Sequence, residues 1–180
     1  MGKLKNPHPV KLVTGIIASS QSLFNQAEKQ LVKAFGSLDY KSRLIDFDCT
    51  PYYAKDTGRD LFRVFLSFDK LVDPARLASI KITTNKMELS LARSMRAKLK
   101  RPVNIDPGYI TAAKLILAST KNYSHRIYLD KGIYAEITLC FRKKRFIPCD
   151  CAYPDYRTDE YISIFTRIRD NFMRQRESKK

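Results

Sequence analysis

The chain has 180 residues, of which 44% are apolar, and its 34 Lys and Arg against 18 Asp and Glu give a net charge of +16. This length and apolar content predict one folded domain and argue against an intrinsically disordered protein. No apolar run reaches the roughly 18 residues that a membrane-spanning helix needs, so we expect no membrane partner.

The first predicted strand and helix follow one another directly. VKLVTGIIAS (10–19) is apolar on both alternating faces, which predicts a central strand covered on both sides. In the segment that follows, apolar residues recur at helical spacing, serines offer an N-cap and Gly36 offers a stop. The residues predicted to form the buried stripe of this helix are Leu23, Phe24, Ala27, Leu31, Ala34 and Phe35.

Two more strands, a second helix and a fourth strand come next. KSRLIDFD (41–48) and LFRVFLSF (61–68) have the composition typical of strands. Asp73-Pro74 is an N-cap followed by a proline at the first helical position, and the helical pattern reaches about Lys98. PVNI (102–105) predicts a short fourth strand. The order β-α-β-β-α-β predicts an α+β fold with a split β-α-β (ferredoxin-like) core.

The remaining elements extend this core by a β-hairpin and a C-terminal helix. NIDPGYI (104–110) contains Asp-Pro-Gly, which predicts a turn, and the pattern after it predicts a short helix at 111–119. A hairpin (124–139), a strand near Phe146 and an amphipathic helix follow. Because no linker divides the chain, we expect a single domain, 1–180. The ends predicted to be disordered are residues 1–8 and about 175–180.

The hairpin SHRIYLDKGIYAEITL has two conceivable registers. A two-residue loop would pair apolar residues with polar ones. A three-residue loop (130–132) pairs apolar residues with apolar ones and puts glycine where a left-handed conformation is needed, so we predict this loop. The predicted cross-strand pairs are Leu129–Ile133, Tyr128–Tyr134, Ile127–Ala135 and Arg126–Glu136.

One face of this hairpin is then apolar and the other is polar. We assign the apolar face to the core. The polar face either meets solvent, where its pairs only fix the register, or lines a cleft in which Glu136 orients Arg126 toward an anion. The predicted core face consists of Ile127, Leu129, Ile133, Ala135, Ile137 and Leu139. The polar face consists of Arg126, Tyr128, Tyr134, Glu136 and Thr138.

Positive charge is concentrated in three segments, 93–101, 142–145 and 167–180. Such clusters are typical of proteins that bind polyphosphates, and we predict RNA or another polyanion as the partner. A solvated basic surface is the alternative, and the oligomeric state stays open. Four cysteines are too few for a disulfide scaffold at this length, which favours a reduced, cytoplasmic protein.

We predict neither a metal site nor a cofactor. Cys149 and Cys151 lack a second ligand pair at zinc spacing. Asp46 and Asp48 share a strand face that could hold magnesium, but aspartates at strand ends are common without a metal. The sequence also lacks a Gly-rich phosphate loop that ends in Gly-Lys-Ser or Gly-Lys-Thr.

Four segments in this order, NIDPGYI, SHRIYL, GIYAEITL and YPDYR, resemble the prokaryotic family catalogued as domain of unknown function 4416. The resemblance covers the chain from the first strand to the C-terminal helix. It implies no established activity, so no functional residues are carried over. The chain departs from the family's pattern at Pro51 and Ala54, which argues against a metal near the neighbouring aspartates, and at Cys151-Ala152.

Two functions stay open, and with them whether the chain is an enzyme. One is a module that binds RNA or another polyanion. The other is an enzyme or small-ligand pocket for a phosphate-bearing substrate, which requires the four segments to meet in one cleft. For that cleft we predict catalytic roles for His125, Glu136 and Asp155. We predict anion- or substrate-binding roles for Asp106, Tyr109, Lys114, Arg126 and Arg157.

Overall fold

The computed structural model describes residues 2–47, 60–94 and 101–178, and within them it is an α+β fold of three long helices and a nine-stranded antiparallel sheet. The helices are α1 (Gln21–Phe35), α2 (Leu77–Ser94) and α3 (Asp159–Glu177). The strands are β1 (Lys11–Ala18), β2 (Leu38–Lys41), β3 (Ile45–Asp46), β4 (Phe62–Phe68), β5 (Val103–Ile110), β6 (Lys114–Ser119), β7 (Ile127–Asp130), β8 (Ile133–Arg142) and β9 (Arg145–Pro148).

The sheet has the strand order β2-β4-β1-β5-β6-β8-β7, with β3 paired to β4 and β9 paired to β8. The prediction for β1 is confirmed, because this strand lies between β4 and β5 and all eight of its residues are buried. A central position satisfies the backbone on both edges, while helices on both sides of the sheet cover its two apolar faces.

Helices α1 and α2 cover one face of the sheet, and α3 covers the other. Helix α1 begins at its cap Ser20, whose side chain accepts from the Leu23 N–H, and ends at Gly36 with φ of 100°. Its predicted stripe is buried except for Ala34, which is exposed because it lies on the solvent side of the last turn. Fully burying a side chain such as Phe24 or Leu31 contributes about 1.5–3 kcal/mol.

Helix α3 carries its apolar stripe against the sheet and continues through residues 175–177, which the sequence predicts as part of a disordered end. Gln175 ties this end down. Its Oε1 accepts from Lys11 Nζ at 2.7 Å, and its Nε2 donates to the Asp69 carbonyl at 2.6 Å. No helix among the described residues is long and apolar enough to span a membrane.

Two predicted elements are wrong. In place of the single strand predicted at 41–48 there are two short strands, β2 and β3, and each pairs separately with β4. Strand β2 begins three residues before the predicted start. The helix predicted at 111–119 is strand β6, preceded by a tight turn in which Thr111 Oγ1 accepts from the N–H groups of Ala113 and Lys114. An apolar run as short as Leu115–Ala118 fits a buried strand as well as a helix.

Some predicted features lie outside the described residues. They are Asp48 of the magnesium alternative, the departures at Pro51 and Ala54, and positions 95–98 of the second predicted helix together with most of the basic segment 93–101.

Candidate ligand-binding cleft

The sheet forks between β5 and β6. These two strands pair at Gly108–Leu117, Tyr109–Ile116 and Ile110–Leu115, whereas residues 103–107 pair with β1 and residues 118–119 pair with β8. A cleft of about 360 Å³ opens where the two halves separate. Its lining is Phe47, Arg63, Lys81, Arg101, Asn104, Asp106, Leu117, Ala118, Ser119, Thr120, Lys121, Tyr123, Arg126, Glu136, Tyr153, Pro154, Asp155 and Tyr156.

Side chains of α2 take the place of the missing strand along β5. The Ile105 N–H donates to Glu88 Oε1 at 2.7 Å, and the Ile105 carbonyl accepts from Lys81 Nζ at 2.9 Å. Both backbone groups of one residue in an antiparallel strand point to the same side, here away from β1. A buried backbone group without a partner is costly, so these two charged side chains stabilise the open edge of the fork.

The Asp-Pro-Gly segment marks the fork, and the prediction that it forms a turn is wrong. Asp106, Pro107 and Gly108 lie within β5, opposite Gly15, Thr14 and Val13 of β1. Proline is tolerated because β6 is absent beside it and its missing N–H would face the open side. Glycine is required at the branch point, because a Cβ on Gly108 would stand 2.3 Å from the Ile116 carbonyl oxygen.

The hairpin of β7 and β8 has the predicted register at its centre but not at its tip. Tyr128 lies opposite Tyr134 and Ile127 opposite Ala135, as predicted. The predicted Leu129–Ile133 pair is wrong, because Ile133 lies opposite Asp130 and the register shifts between Tyr128 and Asp130. The turn is therefore Lys131-Gly132, both with positive φ, and a bulge absorbs the extra residue.

The predicted faces of this hairpin are partly reversed. Ile133 and Leu139 are buried as expected, but Ile127 is 70% exposed and Ile137 is 42% exposed. Ile133 packs against the start of α2, and the apolar face beyond it is left uncovered. A second register shift lies between β6 and β8. Leu115 is opposite Leu139 and Ile116 is opposite Ile137, so Thr138 is an extra residue of β8 with no residue of β6 opposite it. The polar face at the base of the hairpin is turned into the protein.

Arg126 is the centre of a polar network on that buried face. Its Nε donates to Glu136 Oε2 at 2.6 Å, its Nη1 to Ser119 Oγ at 2.7 Å and to the Lys121 carbonyl at 3.1 Å, and its Nη2 to Tyr153 Oη at 3.1 Å. Burial alone would lower the pKa of Arg126, but the hydrogen bonds to Glu136 and Tyr153 raise it above its ordinary value. The guanidinium is therefore charged and held in one orientation.

His125 lies beside this network. Its Nε2 is 3.2 Å from Glu136 Oε2, its ring is stacked parallel to that of Tyr123, and its side chain is 28% exposed. A carboxylate on one imidazole nitrogen fixes the tautomer and leaves the other nitrogen available for proton exchange.

Arg63 enters the cleft from β4 inside a cage of aromatic rings. Its guanidinium carbon lies 4.3 Å from the centre of the Phe47 ring and 5.6 Å from that of Tyr156, and its Nη1 donates to Asp155 Oδ2. Arg63 is 3% exposed, and its Nε has no hydrogen-bond partner among the described residues. Burial works against its charge, but the neighbouring Tyr156, Tyr161 and Asp155 raise the pKa of Arg63.

Four of the eight predicted site residues line the cleft, namely Asp106, Arg126, Glu136 and Asp155, and His125 contacts Glu136 at the rim. The other three lie elsewhere. Tyr109 packs into the apolar clusters on the α1 and α2 side, and Lys114 begins β6 at the opposite end from the cleft. Arg157 donates to the carbonyls of Cys149, Asp150 and Ala152, so it holds a turn together.

Sequence reasoning missed Arg63, Lys81, Arg101 and Asn104. Arg63 carried a usable signal, because a charged residue inside the apolar strand FRVFLSF must be paired or functional when both faces are covered. Lys81 and Arg101 carried no such signal in the sequence, because a lysine in a helix and an arginine in a basic run are ordinarily solvated.

A protein-family model described as Domain of unknown function (DUF4416) matches residues 8–172. The chain belongs to the DUF4416 family. No curated protein and no solved structure matches it. The four segments by which the sequence resembles DUF4416 each contribute a side chain to the cleft, and these side chains are Asp106, Arg126, Glu136 and Asp155. Side chains up to 49 residues apart in the numbering, Asp106 and Asp155, therefore meet at one place in this DUF4416 fold.

Proposed function

We propose that the protein binds a small phosphate-bearing ligand in the cleft between β5 and β6. The observation that carries this proposal is the convergence of all four segments on one concave site. A ligand pocket requires these four segments to meet, whereas a purely electrostatic surface does not. A volume of about 360 Å³ lies at the lower end of the range of small-molecule sites, roughly 300–1,000 Å³.

The charge of the cleft favours an anion. Five lining residues are cations and three are carboxylates, an excess of two positive charges. Glu88, which accepts from Arg101 Nη2 at 2.7 Å, reduces this excess to one. The carboxylates hold the cations in place, as Asp155 does for Arg63 and Glu136 for Arg126. Positioned cations of this kind bind phosphate by charge-assisted hydrogen bonds.

The cleft also supports proton transfer to or from a bound substrate. His125, oriented by Glu136, lies at the rim and is the acid–base group of this proposal. The Tyr156 phenol is a hydrogen-bond donor rather than an acid, because burial raises its pKa well above the ordinary value and keeps it protonated. An enzyme that acts on a phosphate-bearing substrate is thus the extended form of the proposal.

A thermal-shift screen tests the binding proposal. The phosphorylated probes are pyrophosphate, ribose 5-phosphate and adenosine 5′-monophosphate, and ribose and adenosine are their matched controls. A ligand at about 100 times its dissociation constant adds about 2.7 kcal/mol of stability, which raises the melting temperature measurably. We expect at least one phosphorylated probe to raise it and its control to leave it unchanged. No shift with any of the three probes would overturn the proposal.

A second proposal, RNA binding, is favoured by the exposed turn between β8 and β9. Arg142, Lys143, Lys144 and Arg145 are all exposed on this turn. Such a cluster binds polyanions by releasing counterions, so affinity for a fluorescent single-stranded RNA should fall steeply with salt. Replacing Lys143 and Lys144 by Gln should make the slope of log affinity against log salt concentration shallower by about 1.4, because each phosphate contact to a single strand contributes about 0.7. Affinity that does not change between low and moderate salt would contradict RNA binding.

We also infer that the first half of the chain is a split β-α-β (ferredoxin-like) unit. Its support is the element order β1-α1-β2-β4-α2-β5, apart from the two-residue β3, combined with the sheet order β2-β4-β1-β5. Strands β6 to β9 and helix α3 extend this unit, and the cleft lies where the extension begins.

A further inference from the structure

Two cysteine thiols outside the cleft lining lie side by side across β8 and β9. Cys140 Sγ and Cys149 Sγ are 3.7 Å apart, and both residues are free cysteines that are partly exposed. The third described cysteine, Cys151, is exposed and lies two residues further along. The approach of two free thiols to van der Waals contact distinguishes Cys140 and Cys149 from Cys151.

The backbone holds both members of this pair in place. Cys140 lies opposite Ile147 in the β8–β9 ladder, and the Cys149 N–H donates to the Thr138 carbonyl at 3.0 Å. The Cys149 carbonyl accepts from Arg157 Nη2 at 3.2 Å. The thiols are therefore kept near each other by strand pairing and by a braced turn, and a disulfide requires the two sulfurs to move from 3.7 Å to the bonding distance of about 2.05 Å.

We propose that Cys140 and Cys149 form a redox modification site, which a small disulfide such as oxidised glutathione converts into an intramolecular disulfide. One protein thiolate attacks the oxidant, whose S–S bond breaks to give a mixed disulfide and one small thiol. The second protein thiolate attacks the protein sulfur of that mixed disulfide, which forms the Cys140–Cys149 bond and releases the second small thiol. The protein loses two electrons and two protons, and the oxidant becomes two thiols.

The surroundings of the Cys149 thiol determine the rate of this thiol–disulfide exchange. Burial, together with the neighbouring Cys140 thiol, raises the pKa of the Cys149 thiol to about 11. Because the thiolate is the attacking form, the reaction should be slow near neutral pH and should accelerate as the pH rises. The proposal is independent of any ligand in the cleft.

Peptide mapping of the full-length protein tests the proposal. The purified protein is incubated with oxidised glutathione, alkylated under denaturing conditions and digested with trypsin. The sequence places Arg142 and Arg145 between the two cysteines, so peptides 132–142 and 146–157 stay together only through a disulfide. We expect this linked pair to form in the wild type, with Cys151 alkylated, and two of the four thiols to be lost.

Single-serine variants provide matched controls. Cys140→Ser and Cys149→Ser should each abolish the linked peptides, whereas Cys151→Ser should leave their yield unchanged. Wild-type protein in which Cys140 and Cys149 stay fully alkylatable, or carry glutathione without linking, would overturn the proposal even if a variant fails to fold. Linkage through Cys151, seen as a cross-link that survives in Cys149→Ser, would also overturn it.

Discussion

Arg126 and Glu136 form a buried ion pair at the base of the β7–β8 hairpin, with Arg126 Nε 2.6 Å from Glu136 Oε2. Their side chains are 2% and 4% exposed, and the same carboxylate oxygen lies 3.2 Å from His125 Nε2. The two alternatives for the polar face of this hairpin were contact with solvent and a position in the wall of a cleft. Arg126 and Glu136 lie in the wall of the cleft. Tyr128, on the same polar face nearer the tip, is exposed.

Removing Arg126 should strongly destabilise the protein. Arg126→Ala leaves the Glu136 carboxylate buried without its main partner, and losses of about 3–5 kcal/mol are typical of such changes. Urea denaturation measures the free energy of unfolding. Arg43→Ala is the matched control, because the Arg43–Glu160 pair is exposed and should contribute less than about 1 kcal/mol.

A double-mutant cycle checks that this loss belongs to the pair. Arg126→Ala combined with Glu136→Gln should cost clearly less than the sum of the two single changes, because no unpaired carboxylate remains. Strictly additive costs would show that Arg126 and Glu136 act independently.

Removing the Lys81 ammonium should weaken the open edge of β5. Lys81→Met leaves the buried Ile105 carbonyl without its donor, and such a group costs about 1–3 kcal/mol. Lys86→Met is the control, because Lys86 is exposed on the same helix. Equal midpoints of urea unfolding for the two variants would contradict the role given to Lys81.

The Glu88 carboxyl should make stability depend on pH. Burial raises the pKa of Glu88 above its ordinary value of 4.5, although Lys81 and Arg101 act in the opposite direction. Above pH 4.5 the folded state therefore binds more protons than the unfolded state. The free energy of unfolding then falls as the pH rises, until Glu88 is ionised in the folded state as well. The wild type should therefore lose stability relative to Glu88→Gln as the pH rises above 4.5, as measured by urea unfolding at each pH. A stability difference that does not change with pH would contradict this prediction.

Adding a methyl group at the branch point should distort the fork. In Gly108→Ala the new Cβ meets backbone, the Ile116 carbonyl oxygen at 2.3 Å, and Leu117 Cδ2 at 2.7 Å. Overpacking of this kind typically costs 1–3 kcal/mol and more when backbone must move. Gly132→Ala is the comparison, since its Cβ would meet nothing within 4 Å and only the positive φ is strained. Thermal unfolding should rank Gly108→Ala as the less stable variant.

The sequence predicted the elements whose local pattern agrees with their final environment. The β1 strand, the caps of α1 and the Tyr128–Tyr134 pair depend on alternation and on capping, and both can be read from neighbouring residues. The recognition of the family and the α+β class depend on patterns that run along the whole chain.

The errors arose where distant contacts override local chemistry. Asp106-Pro107-Gly108 has the composition of a turn, but Gly108 is needed for the close approach of β6, and Pro107 is tolerated because its missing N–H faces the open edge of β5. Which face of the hairpin is buried depends on two register shifts and on where α2 begins, and the sequence of the hairpin contains neither. The same limit explains why Lys81 was missed, because its partners lie on β5.

The most direct test of the ligand-binding cleft is the affinity for the phosphorylated probe with the largest thermal shift, measured by titration calorimetry on two charge variants. Arg101→Gln removes a cation from the lining, and Lys144→Gln removes one from the distant, exposed turn. Losing one charge-assisted hydrogen bond of about 1.4 kcal/mol weakens binding about tenfold. We predict that Arg101→Gln raises the dissociation constant about tenfold while Lys144→Gln leaves it within about twofold of the wild type. An unchanged affinity in Arg101→Gln with a large loss in Lys144→Gln would place the ligand on the basic turn and contradict the account.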